Sequence, residues 1–177
     1  MDNGKISVRY ARALLNLANS EQCANEVYEC MKRLTGNYAL AINAFNEALS
    51  NPQASNEEKL ALLHTAIGEP VHPCVTRFLE FLTEKRRENK VFLIALKYQE
   101  MYRKANNIVR ADVTTAMEVD ESTLDKIRAF VEQTFHSTVD LHVNVDPALI
   151  GGFTLDIEHR RLDASIKGQL EKLIVKS

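Results

Sequence analysis

A glycine pair, Gly151-Gly152, a serine and a lysine two apart at Ser165 and Lys167, five histidines, three cysteines and the basic run Lys85-Arg86-Arg87 are the residues here whose types could do chemistry. Each chemistry needs its residues at a particular spacing. A phosphate loop sits between a strand and a helix, where the helix N–H groups point at the anion. Gly151-Gly152 fits neither GxGxxG nor GxxxxGK[ST], and it precedes the alternating run Phe153 to Ile157. The pair reads as a turn or bulge opened by Asp146-Pro147, where glycine allows positive φ. Ser165-Ile166-Lys167-Gly168 is not SxxK, because its fourth residue is glycine. Gly168 within a helix costs about 1 kcal/mol against alanine. It marks either a weak helix start or a place where another backbone comes close.

The remaining candidates are no better arranged. His64, His72, His136, His142 and His159 form neither HExxH nor HxH. Cys23, Cys30 and Cys74 are odd in number and contain no CxxC. Cys23 and Cys30 fall on one helix face, and all three read as small apolar fillers in a reducing compartment. His72 and Cys74 flank Pro73 with nothing nearby to complete a metal site. Lys85-Arg86-Arg87 is bordered by Glu84 and Glu88 and falls at an expected helix C-terminus, where the dipole favours cations. The expectation is therefore no catalytic residue, no metal and no cofactor.

The elements that carry these residues follow from hydrophobic period. The chain has 177 residues, 45% hydrophobic and 26% charged, a globular composition. Residues 1–105 have a helical period. In the first helix Ile6, Tyr10, Ala13, Leu14 and Leu17 form one stripe, and Val8, Ala11, Leu15 and Ala18 another. A helix apolar on two sides needs cover on two sides, one of which can be a partner. Ser20 is expected to cap a second helix ending near Gly36, and Tyr38 to Leu49 a third, stopped by Asn51-Pro52. Ser55-Asn56-Glu57-Glu58 is a capping box opening a fourth that runs to Gly68. Val75, Phe78, Leu79 and Leu82 mark a fifth ending near Arg87; Val91, Ile94, Ala95, Tyr98 and Met101 mark a sixth. The short loops imply a six-helix antiparallel bundle.

At Asn106-Asn107 the period becomes two. Val109 to Thr115, Val139 to Val145 and Phe153 to Ile157 alternate as half-buried strands. Asp120 to Ser122 can cap a helix carrying Leu124, Ile127, Val131 and Phe135. Ile166, Leu170, Leu173 and Ile174 close with a helical stripe. Residues 106–177 thus read as a small β-α-β-β-α domain, and the whole chain as α+β.

At this point a family resemblance is visible. RYARALLNLA (Arg9 to Ala18), the segment from Phe78 to Ala116, DPALIGGFTLDI (Asp146 to Ile157) and LDASIKGQLEKL (Leu162 to Leu173) resemble the delta-subunit family of bacterial F-type ATP synthases. That family is similar to the mitochondrial oligomycin-sensitivity-conferring protein. The last segment is the most specific. One departure is the stretch Glu158-His159-Arg160-Arg161, where the family often has a Gly-Asp turn.

The resemblance implies a non-catalytic stator subunit that resists torque during ATP synthesis. Its helical domain, 1–105, would bind N-termini of the alpha subunits of the catalytic hexamer. Its small domain, 106–177, would bind the b subunits of the peripheral stalk. The implied alpha-binding groove, between the first and fifth helices, falls on Tyr10, Ala13, Leu14, Leu17, Phe78 and Phe81. The implied stalk-binding region falls on Gly151, Gly152, Ser165 and Gly168. Membrane association would come through the complex alone, at the cytoplasmic face of the bacterial inner membrane. In keeping with that, the sequence has neither a stretch of roughly 18 to 20 apolar residues nor a signal-peptide pattern. An RNA-binding bundle of the transcription-antitermination type is the alternative. A formal charge of −2, with only 14 Lys/Arg against 12 Asp/Glu over residues 1–105, gives it no basic face, and no nucleic-acid partner is expected.

Overall fold

The computed structural model describes residues 3–149, 151–157 and 160–163. The chain is α+β and divides into two compact units, Met1–Tyr102 and Arg103–Ser177.

The first unit is helical: α1 (Asn3–Ser20), α2 (Ala24–Leu40), α3 (Ile42–Ser50), α4 (Asn56–Ile67), α5 (Pro73–Glu84) and α6 (Val91–Ala105), which runs on past Tyr102. The inward face of α1 is Ser7, Ala11, Leu14 and Ala18, spaced as one helix face. This differs from both expected stripes, since Leu14 joins Ala11 and Ala18 inside while Tyr10, Ala13 and Leu17 stay at the surface. Ser20 does not cap α2. It is the last residue of α1, and its Oγ donates to the Leu17 carbonyl. The chain then closes a Schellman end: Cys23 N–H bonds Ala18 O at 2.9 Å, Gln22 N–H bonds Asn19 O at 3.2 Å, and Gln22 is left-handed at φ 56°. Cys23 thereby becomes the N-cap of α2.

Gly36 does not end α2, which continues to Leu40. Its last turns are held by tertiary contacts. The Tyr38 ring stacks on Phe45 (4.8 Å) and Phe92 (4.9 Å), and its hydroxyl donates to Asn46. The Asn37 amide donates to Ala66 O. The break to α3 falls at Ala41, which has neither glycine nor proline to announce it.

The expected capping box opens α4, with Glu58 N–H donating to Ser55 Oγ and Ser55 N–H donating to a Glu58 carboxylate oxygen. Gly68, at φ 68°, closes that helix. Pro73 is the first residue of α5, and the His72 ring nitrogen accepts from Cys74 N–H at 3.2 Å. α5 ends in a second Schellman motif with Arg86 left-handed at φ 53°, so the helix stops at Glu84 and not at Arg87. α6 threads the core. Tyr98 donates to Ala24 O, Gln99 donates to Met31 O and Thr35 Oγ1, and Tyr102 stacks on Tyr28 at 4.5 Å. These bonds satisfy polar groups that burial would otherwise strand.

The second unit holds β1 (Ile108–Thr115), α7 (Glu121–Phe135), β2 (Thr138–Val145), β3 (Phe153–Ile157) and β4 (Arg160–Asp163). The sheet order is β2-β1-β3-β4. β1 is parallel to β2 and antiparallel to β3, and β4 is antiparallel to β3. Val109, Ala111, Val113, Val139, Leu155 and Ile157 share the face on which Val131, Ile127 and Phe135 of α7 pack. Asp120 sits at the N-cap of α7 but takes its bond from the Thr123 hydroxyl at 2.6 Å, not from a backbone N–H. The expected β-α-β-β-α order needs correction: Arg160 and Arg161, read as part of a turn, belong to β4, with Asp156 opposite Arg161. The expected closing helix, with Ile166, Leu170, Leu173 and Ile174, lies outside the described residues.

A candidate partner-binding groove

Residues from α1 and α5 enclose a groove of ≈ 440 Å³ in the helical unit. All six residues placed there from sequence line it: Tyr10, Ala13, Leu14 and Leu17 from α1, Phe78 and Phe81 from α5. Helix geometry sets their roles. Leu14 (1% exposed) and Phe78 (6%) also belong to the core and form the floor. Leu17 (37%) and Phe81 (43%) stand as walls, and Tyr10 meets Phe81 with ring centroids 6.1 Å apart. An apolar wall left this open is surface that a partner can cover.

The rim is cationic, which sequence reading missed. Arg9 and Arg77 also line the groove. The Arg9 guanidinium lies 6.0 Å from the Tyr10 ring centre, and the Lys85 ammonium 5.7 Å from that of Phe81. Arg77 donates to both carboxylate oxygens of Glu21 at 2.6 Å. Arg9 and Arg77 stand one position before Tyr10 and Phe78, so the signal was a basic residue beside two of the three lining aromatics. The arrangement suits an amphipathic helix with an apolar face and flanking acidic side chains.

The second unit carries a separate apolar groove of ≈ 520 Å³. Gly151 and Gly152 form part of its lining with Phe153, Leu155, Phe130 and Met117. Gly152 is at φ 78°, a conformation that favours glycine, so its role is conformational. Met117 and Phe130 are exposed. Ser165 and Gly168, assigned to the same region from sequence, lie outside the described residues.

The other chemical candidates fall as follows. His72 caps α5; His136 is the left-handed residue ending α7; His142 lies 3.4 Å from Asp140. His64 sits in the last turn of α4, and His159 is outside the described residues. Lys85-Arg86-Arg87 forms the Schellman end of α5. Cys23, Cys30 and Cys74 are all buried free thiols, and Cys23 and Cys74 come together beside the Glu21 carboxylate, which sequence spacing did not foretell. Burial, with Cys23 beside it, pushes the Cys74 thiol up to about 11.

Comparison with known proteins converges on one family. The model of the ATP synthase delta (OSCP) subunit family matches residues 6–175. ATP synthase subunit delta of Phocaeicola vulgatus is 37% identical over 171 residues, covering 96% of this chain and 92% of the relative. That of Parabacteroides distasonis is 36% identical over 173 residues, covering 98% and 96%. A more distant relative, ATP synthase subunit delta of Synechococcus elongatus, is 32% identical over 167 residues, covering 94% and 92%. Among solved structures, a chain of the Toxoplasma gondii mitochondrial ATP synthase hexamer superposes with a TM-score of 0.67. It covers 96% of both chains at 20% identity, which speaks to fold alone. On this match over nearly its whole length, the chain belongs to the ATP synthase delta (OSCP) subunit family.

Proposed function

We propose that the chain is the non-catalytic link that joins the catalytic alpha/beta hexamer of a rotary proton-translocating ATP synthase to its peripheral stalk. It holds the hexamer still while the central shaft turns, so that proton flow drives synthesis and not idle rotation. In this reading the helical unit receives the N-terminal segment of an alpha subunit in the α1–α5 groove. The small unit receives the end of the stalk's b subunits on the groove beside Gly151 and Gly152. The protein then sits peripherally, at the cytoplasmic face of the inner membrane, through the complex; among the described residues no helix is long and apolar enough to cross a membrane.

The observation that carries the reading is the open wall of the first groove, with Phe81 43% and Leu17 37% exposed above a closed floor. A static joint under torque must above all dissociate slowly. Two attachments on one complex supply that through effective concentration.

Titration calorimetry tests it, with a peptide of the alpha-subunit N-terminus from the same organism. Wild type binds, and Phe81→Asp weakens binding about 30-fold or more, the size of an aromatic hot spot of about 2 kcal/mol. Unchanged affinity in Phe81→Asp moves the contact off this groove. No binding by the folded wild type overturns the assignment of the helical unit.

A further inference from the structure

We propose that Glu21, Cys23 and Cys74 form a binding site for a thiophilic divalent cation of the zinc class. One ligand atom from each of the three side chains lies within 4.8 Å of the others. The two thiols are free and buried, Cys23 4% exposed and Cys74 0%. Thiolate sulfurs about 2.3 Å from zinc and a carboxylate oxygen about 2.0–2.2 Å from it subtend separations near 3.5–4 Å in a tetrahedron. The cluster therefore needs each side chain to close in by about 1 Å or less. A fourth position is left for water.

Backbone geometry builds the site. The Schellman end of α1 puts Gln22 in the left-handed region, with Glu21 and Cys23 on either side of it. Cys23 is the N-cap of α2, and Cys74 lies in the first turn of α5 behind Pro73. Both sulfurs thus sit at helix N-termini, and metal binding there displaces their protons. His72, by accepting from Cys74 N–H at 3.2 Å, fixes the backbone of one ligand. Glu21 is the exposed member and opens the route to solvent. Two sulfurs with one oxygen select zinc-class ions over magnesium or calcium, which take oxygen.

The site touches the groove through one side chain. Arg77 lines the groove and is held by Glu21 at 2.6 Å. A cation on Glu21 competes with Arg77 for those oxygens and frees the guanidinium toward the groove. That consequence rests on the proposed function; the metal site itself does not.

The test is a titration of the reduced, full-length protein with Co2+, followed by the near-ultraviolet band of thiolate-to-metal charge transfer. One equivalent produces the band, and Zn2+ abolishes it by displacement. Cys74→Ser removes the band, Cys30→Ser keeps it, and Glu21→Gln weakens Co2+ binding by at least the roughly 10-fold that even an outer-shell change costs. Glu21→Gln alters an exposed side chain, so it still reads out should Cys74→Ser fail to fold. Absence of the band in folded wild type overturns the proposal. So does a band of unchanged affinity in Glu21→Gln or in Cys74→Ser.

Discussion

Two leucines three residues apart show how one helix serves two masters. Leu14 is 1% exposed and packs as core; Leu17 is 37% exposed and faces the groove. Truncating the first leaves a cavity, truncating the second does not. Leu14→Ala is expected to cost about 2–5 kcal/mol, seen as a lower midpoint in urea unfolding with the slope unchanged. Leu17→Ala stays close to wild type in the same experiment and shows its effect on peptide affinity. The same contrast explains what could be read from sequence here. Tyr10, Ala13 and Phe81 were assigned to the groove on the family resemblance, with which a first helix apolar on two sides agrees, and they line it. Leu14 and Phe78 could be either floor or plain core, and they are both. The Cys23–Cys74 approach was not legible, because it depends on how the end of α1 and the start of α5 meet, and no local spacing encodes that.

Elements were legible where their ends carry side-chain chemistry. The box at Ser55 and Glu58 and the glycine stop at Gly68 bound α4 as expected. The α2–α3 break was misplaced because it sits at Ala41 and is set by the Tyr38 stack with Phe45 and Phe92. The first half of β4, Arg160-Arg161, was read as part of a turn because two arginines carry no hydrophobic alternation; the pairing with β3 decides it. The capping box also carries a pH signature. Hydrogen bonds from the Ser55 backbone, then the Ser55 side chain, hold the Glu58 carboxyl below its ordinary range. A depressed acid contributes stability above its unfolded pKa, and that stability fades as pH falls through the folded value. Thermal midpoints of wild type and Glu58→Gln are therefore expected to differ most near neutral pH and to converge in acid. A gap that stays constant down to low pH would place the effect elsewhere.

At the scale of the whole molecule, two hydrophobic cores lie in series on one chain, and α6 belongs to the first of them. Ile94, Ala95, Tyr98, Gln99 and Tyr102 are buried in the helical unit, with Tyr98 bonded to Ala24 and Gln99 to Met31. A fragment of residues 1–105 keeps these contacts and is expected to melt cooperatively by circular dichroism. A fragment of residues 1–90 lacks them and is expected to melt without a sharp transition; cooperative melting of the shorter fragment would assign α6 a lesser part. The chain leaves α6 and, after Asn106-Asn107, enters β1, an inner strand paired with β2 over eight residues and with β3 over five. Tension arriving along the backbone from the helical unit meets β1 at Ile108, the first residue of a strand held on both edges. Its hydrogen bonds to both neighbours share that load, whereas an edge strand would have a single row of them to resist it. The connection is built like a lap joint, with the strongest-seated strand of the sheet taking the strain.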